Sequence, residues 1–137
     1  MLSYHADADV NTNPYELGLR RLIDLDMDAN FVGKDALRLI ENEGIQRMQV
    51  GLNLKTAPLK GPNTTFWTLK HKDRPVGKVT SAIYSPRLKK NIALAIVATD
   101  FTKIGTNLEV EIGSAKVSAT VVEKPFYDPK KKIAVAI

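Results

Sequence analysis

The stretch from Gly77 to Val97 places the strongest constraint on the fold of this chain, because it is typical of two strands joined by a short loop. Val76 to Ile83 is rich in β-branched residues, which favour strands. Pro86 follows Ser85, and proline lacks a backbone donor and disfavours helix in the residue before it, so the chain turns there. Ile92 to Ala98 is then apolar enough to predict a strand buried on both faces.

Further strands are predicted by apolar residues at every second position. From Met48 to Leu54 apolar and polar residues alternate, which predicts one buried face and one wet face. Thr65 to Leu69 and Val76 to Ile83 flank a turn as a hairpin, and Gly113-Ser114 is typical of a two-residue type II′ turn. About six short strands with regular turn signals predict a small antiparallel, Greek-key-like barrel.

The N-terminal third has helical signals instead. Asn13, Pro14 and Glu16 form the pattern of a capping box at a helix start, although a short helix followed by a strand fits this region equally well. A second helix is predicted from about Lys34 to Asn42, because its apolar residues share one face and Gly44 follows where a left-handed cap is wanted. The predicted fold is therefore mostly β with short helices.

Composition excludes several classes of protein. With 137 residues, 44% of them hydrophobic and 26% charged, the chain suits one modest globular core. The absence of cysteine excludes disulfides, thiol nucleophiles and thiolate metal sites, and it is compatible with a reducing cytoplasm. No apolar run is long enough for a membrane span and no export signal is present, so we expect a cytoplasmic protein without a membrane partner.

Charge leaves two interpretations open. The formal charge of +5 favours an anionic ligand or acidic partner, or it reflects a solvated lysine surface. Arg87, Lys89 and Lys90 interrupt two apolar strands at a loop, where they could hold a carboxylate or another acidic group. They could equally be gatekeeper charges that keep the following apolar strand soluble. No basic block is long enough to favour nucleic acid as the partner.

Other polar side chains give weaker signals. His5, Asp7 and Asp9 alternate as metal ligands on one side of a strand would, but a polar loop explains them better. Glu16 is a candidate acid, yet its position in the capping box already accounts for it. No hydrolytic, phosphate-loop or His-Glu metal motif is present, so we predict no metal site and no independent hydrolytic or nucleotide chemistry.

Four aromatic residues could stack on a flat heterocycle, but core positions in a small barrel explain them better. They are Phe66, Trp67, Tyr84 and Phe126.

Five motifs, in an order and spacing that run through the whole chain, resemble the C-terminal region of the glycine-cleavage T-protein family, the tetrahydrofolate-dependent aminomethyltransferases and related demethylases. The motifs are Asn13-Pro14-Tyr15-Glu16-Leu17-Gly18-Leu19, Phe31-Val32-Gly33-Lys34-Asp35-Ala36-Leu37, Val50-Gly51-Leu52, the stretch from Thr80-Ser81 to Ala95, and Pro125-Phe126-Tyr127-Asp128-Pro129. The resemblance implies that residues 1–45 end a preceding folate-binding lobe and that residues 46–137 form the C-terminal barrel with its tail.

The resemblance also implies a function. Members hold tetrahydrofolate between lobes and move a one-carbon unit onto it, with the catalytic aspartate upstream of the matched part. This chain would then help to wall the folate site, would be inactive alone, and would have the missing N-terminal lobes and a lipoyl-carrier protein as partners. The family's tail folds toward the folate site, which places Lys131 near the cofactor, and the anionic group at Arg87, Lys89 and Lys90 would belong to cofactor, donor or carrier.

Two alternatives remain at this stage. Ala82 replaces a glycine common in the family and Arg87 a small polar residue, which keeps a folate-dependent demethylase of a dimethylated amine or of dimethylsulfoniopropionate open. The other alternative, from a different class, is a free-standing barrel that binds nucleic acid or an acidic protein through its basic loops.

Overall fold

A computed structural model of the chain describes residues 2–130 and 132–135. The strands are β1 Arg47–Lys55, β2 Trp67–His71, β3 Arg74–Ser85, β4 Lys90–Ala98, β5 Asn107–Ile112 and β6 Ala115–Val122. The helices are α1 Lys34–Glu43 and α2 Lys132–Val135, with 3-10 turns at Arg20–Leu22 and Thr99–Phe101. Within the described ranges, no helix has the length and apolar character that a membrane crossing requires.

The six strands form a closed antiparallel barrel in the order β1-β4-β3-β2-β5-β6, with β6 returning to β1. Closure pairs every strand on both sides and so removes exposed sheet edges. Inward-pointing residues of all six strands make one core, which includes Leu52, Leu69, Val79, Val97 and Val110. The prediction of a mostly β fold with a six-stranded antiparallel barrel is confirmed.

The predicted turns and α1 are confirmed, with small changes at the strand ends. Lys72 and Asp73 both have positive φ at the β2–β3 turn, and Gly113 has φ +61 between β5 and β6. Helix α1 ends at Gly44, which donates its N–H to the Ile40 carbonyl. Gly44 has the positive φ of +80 that favours glycine, but its ψ of 168 differs from that of the predicted left-handed helical cap.

The capping box forms, but the helix predicted after it does not. The Asn13 N–H donates to Glu16 Oε2 at 3.1 Å, and the Glu16 N–H donates to Asn13 Oδ1 at 3.0 Å. Gly18 then adopts φ +72, which stops the helix after one turn. Only the short 3-10 turn at Arg20–Leu22 follows, and no strand forms there.

The prediction of a wet outer face for β1 is wrong at two positions. Gln49 and Gly51 are buried although they point away from the core. A Cβ at Gly51 would lie 2.9 Å from both Lys124 Cγ and Phe126 Cε1, so the tail after β6 lies directly on this strand. The outer face is covered by the tail and by the N-terminal segment instead of water.

Gly77 is required where β3 and β4 approach each other. It lies opposite Val97 in the ladder, and a Cβ there would overlap the Ile96 carbonyl oxygen and lie 2.8 Å from Val97 Cα. We expect Gly77→Ala to destabilise the chain by about 1 to 3 kcal/mol, since backbone atoms cannot move aside without breaking the ladder. Urea unfolding followed by circular dichroism measures this change.

Gly61→Ala is the matched control, because Gly61 lies in an exposed loop, has no positive φ, and has no atom within 4 Å of the position that a Cβ would take. It should change the unfolding free energy by no more than about 0.5 kcal/mol. Equal effects of the two substitutions would contradict the close-approach explanation.

Candidate functional site

A cleft of about 500 Å³ lies on the outer face of β3 and β4. Ile83, Leu94 and Phe126 contribute apolar walls, while Asp7 and Ser81 contribute polar atoms. Four parts of the chain therefore build it: the N-terminal segment, the loop before β2, the β3–β4 pair and the tail. A concave, mostly apolar site with a few polar groups is the usual form of a ligand site.

Asp7 organises the polar side of this cleft. The residue is 1% exposed, and its carboxylate accepts hydrogen bonds at Oδ1 from Thr80 Oγ1 at 2.6 Å and from Ser81 Oγ at 2.7 Å. Its Oδ2 accepts the Ser3 N–H at 2.9 Å. These bonds attach the N-terminal segment to β3 and satisfy a carboxylate that would otherwise be costly to bury.

Asn63 performs the corresponding role on the loop before β2. Its Oδ1 accepts the Ala82 N–H at 2.6 Å, and its Nδ2 donates to the carbonyls of Thr65 and Thr80. The amide thus occupies a register shift in β3 between Val79 and Ser81, where the ladder with β4 is interrupted.

Gln49 connects the tail to the N-terminal segment behind the cleft. Lys124 Nζ donates to the Gln49 carbonyl and to its Oε1, both at 3.0 Å, while Gln49 Nε2 donates to the Asp7 carbonyl at 3.4 Å. Burial lowers the pKa of Lys124 from its ordinary value of 10.5, and the negative charge of Asp7 opposes this shift.

Glu16 is bound in an ion pair as well as in the capping box. Arg47 Nε donates to Glu16 Oε1 at 2.8 Å, and this bond raises the pKa of the Arg47 guanidinium. The pair ties the capping turn to the start of β1. Its partners explain Glu16 structurally, in agreement with the interpretation preferred from sequence.

The basic loop residues lie close to the tail. The Arg87 guanidinium stacks on the Tyr127 ring at 4.1 Å, and Lys90 lines a second cavity of about 240 Å³ whose other walls include Leu88 and Phe126. Lys89 is exposed and has φ +52. Across residues 2–130 and 132–135, these three cations form no ion pair with a carboxylate. Lys131, the fourth predicted site residue, lies outside the described residues.

The remaining candidates have structural surroundings. Among the described side chains no three acidic or imidazole groups gather as a metal site would require. His5 is exposed, and Asp7 turns to Thr80 and Ser81 instead. Of the four aromatic residues, Trp67 packs against the core, whereas Phe66 is exposed beneath Lys78 at 4.3 Å.

Sequence reasoning missed the most organised part of the site. The contacts of Asp7 join residues 73 and 74 positions apart, and those of Lys124 reach 75 positions back to Gln49. The roles of Asp7 and Lys124 are recognisable only from their burial in the folded chain. The one signal in the sequence is a Thr-Ser pair in a strand together with an acidic N-terminal segment. Neither histidine of the chain lines the cleft, so the Ser81 hydroxyl has no imidazole base there and the arrangement suits binding.

The pKa of Lys124 leads to a pH prediction. Below the lowered folded-state pKa, both folded and unfolded chains carry the proton and the cost of burying the charge is fully present. As the pH rises through that pKa toward 10.5, the folded state loses its proton first, so the unfolding free energy rises, by at most about 1.4 kcal/mol per pH unit. As the pH rises, the unfolding free energy of the native chain should therefore increase relative to that of the Lys124→Met variant.

Urea unfolding at a series of pH values up to 10.5 measures that difference. Lys55→Met, which removes an exposed ammonium from the end of β1, is the matched control and should show no comparable growth. A difference for Lys124→Met that stays constant across the series would contradict the proposed burial cost.

Comparisons with known proteins agree with the barrel and its surroundings. Residues 47–128 match the family model of the glycine cleavage T-protein C-terminal barrel domain. The aminomethyltransferase of Synechococcus sp. (strain CC9902) is 41% identical over 124 residues, which are 90% of this chain and 33% of that protein. The aminomethyltransferase of Bacillus velezensis is 36% identical over 131 residues, 94% of this chain and 34% of that protein.

A solved structure shares the fold. The crystal structure of glycine cleavage system aminomethyltransferase T from Bartonella henselae superposes with a TM-score of 0.81 at 23% identity, over 92% of this chain and 35% of that one. The chain thus spans about a third of the length of the relatives it matches. Because the family model covers most of the chain, from β1 to the tail, the chain belongs to the glycine cleavage T-protein C-terminal barrel family.

Proposed function

We propose that this chain is the C-terminal part of a tetrahydrofolate-dependent aminomethyltransferase and helps to wall its folate site. The observation that carries the proposal is the match of residues 47–128 to the T-protein barrel, together with aminomethyltransferases as relatives over 90% of the chain. In this proposal residues 1–45 end the preceding lobe, residues 46–137 form the barrel and tail, and the upstream lobes and a lipoyl-carrier protein are partners.

The described residues fit one end of such a cofactor. Tetrahydrofolate carries carboxylates, and the exposed Arg87, Lys89 and Lys90 offer three cations at one loop without internal carboxylate partners among the residues described. When bound, the folate supplies the nitrogen that receives the one-carbon unit. The barrel residues would orient the bound molecules and exclude water from one side.

The chain by itself should have no transfer activity, because no histidine is among the described residues that line its cleft and the family resemblance places the catalytic aspartate upstream. Incubation of the purified chain with tetrahydrofolate and an aminomethylated carrier should give no methylene-tetrahydrofolate above the background without protein. Turnover by the chain alone would contradict this assignment of roles.

A chimera tests the proposed function directly. The matched third of the Synechococcus aminomethyltransferase is replaced by this chain, and glycine-dependent formation of methylene-tetrahydrofolate is measured. The chimera should be active, and the truncated enzyme without any barrel should be inactive. A folded but inactive chimera that instead demethylates a dimethylated donor would overturn the aminomethyltransferase assignment in favour of a demethylase.

The basic loop can be tested in the same chimera. Changing Arg87, Lys89 and Lys90 together to glutamine should weaken binding of the anionic group about tenfold and flatten its salt dependence. Each exposed contact contributes on the order of 1 kcal/mol or less, so the triple change is needed. Isothermal titration with tetrahydrofolate and with the carrier at several salt concentrations measures both effects.

The matched control changes Lys72, Arg74 and Lys103 to glutamine, which removes the same charge from exposed positions elsewhere. It should leave affinity and salt slope unchanged. If the Arg87, Lys89 and Lys90 variant keeps its affinity and aggregates, these residues are gatekeepers of β4 and the binding role is wrong.

A further inference from the structure

We propose that the cleft on β3 and β4 is a binding site for a small planar cation, such as an amidinium or an amine on an apolar ring. This inference concerns the cleft of the isolated chain and does not depend on the proposed function. It follows from which hydrogen-bonding atoms of the lining are already committed and which are left.

The inner polar side chains already donate their protons to other groups of the chain. The Ser81 hydroxyl donates its proton to Asp7 Oδ1, and the Thr80 hydroxyl has Asp7 Oδ1 and the Leu94 carbonyl as acceptors for its single proton. Both N–H donors of Asn63 go to backbone carbonyls. A hydroxyl that has donated its proton still has acceptor lone pairs. A ligand in the cleft therefore meets mainly acceptors, and the exposed hydroxyl of Ser3 is the side-chain donor that remains among the described lining residues.

The charge at the cleft is negative, which also favours a cationic ligand. Asp7 is a buried carboxylate whose partners are two hydroxyls and one backbone N–H, and among the described residues no cation lies within 4 Å of it. Lys124 is the charged group that faces it from the tail, but Gln49 holds that ammonium by two oxygens. A buried carboxylate that has hydrogen-bond donors but no ion-pair partner among the described residues favours a cation in the adjacent space.

The walls determine the shape of the ligand. Ile83, Ile92, Leu94 and Phe126 line the space with apolar surface, and Ile83 is 47% exposed on its open side. Such walls favour a flat apolar body, while the acceptor atoms and the Asp7 field favour N–H donors and reject carboxylates. Benzamidine has this combination, and benzoate has nearly the same shape with the opposite charge.

The experiment titrates the ¹⁵N-labelled chain with benzamidine and with benzoate and follows amide chemical shifts. Benzamidine should shift the amides of residues 80–83 and 92–94 with a Kd of about 1 to 10 mM, as expected for a fragment of this size. Benzoate should leave those amides unchanged at the same concentrations. Equal binding of both fragments, or benzamidine shifts confined to the acidic loop at residues 24–28, would overturn the proposal.

Two kinds of variant identify the cause. Asp7→Asn should weaken benzamidine binding at least about fivefold, because it removes the charge while keeping the shape of the side chain. Should that variant fail to fold, Ile83→Lys leaves the Asp7 contacts intact and places a cation on the exposed wall. It should abolish benzamidine binding, whereas the control Ile83→Leu should retain it, and unchanged affinity in Ile83→Lys would refute the site.

Discussion

Closure of the barrel by β1 is the constraint on which the rest of the structure depends. This strand pairs with β4 along one edge and with β6 along the other, so loss of either ladder would open the sheet. A six-stranded barrel is narrow, and its interior is filled by side chains such as Leu52 and Val97. Any site must therefore lie outside the barrel, where other segments of the chain contact its outer surface.

Two segments outside the barrel strands, the N-terminal segment and the tail after β6, give the outer surface of the barrel its cleft. Gly51 lets the tail lie against β1, and the buried Gln49 bonds both to Lys124 in the tail and to Asp7 in the N-terminal segment. Asp7 in turn accepts a hydrogen bond from Thr80, which attaches the N-terminal segment to β3. The cleft is the space between these attachments, so its shape depends on both segments remaining docked.

Sequence patterns predict those features that short-range chemistry determines. The strand–turn–strand order, the Gly113 turn and helix α1 follow from alternation, glycine and helical spacing, and all are confirmed. The capping pair of Asn13 and Glu16 is also readable, but the helix after it fails because Gly18 adopts a left-handed conformation. A capping pattern predicts where a helix can begin, but it does not predict how long the helix will be.

The polar cluster at the cleft could not be predicted in the same way, because its energetics arise only on folding. Asp7 in an isolated sequence is an ordinary acidic loop residue, and it becomes a buried charge only when Thr80 and Ser81 arrive from a distant strand. The exposed basic loop shows the opposite case: Arg87 stands out in the sequence, yet its neighbour Tyr127 comes from the tail. Residue type indicates which chemistry is available, whereas the barrel and its two attached segments decide which of those groups face each other.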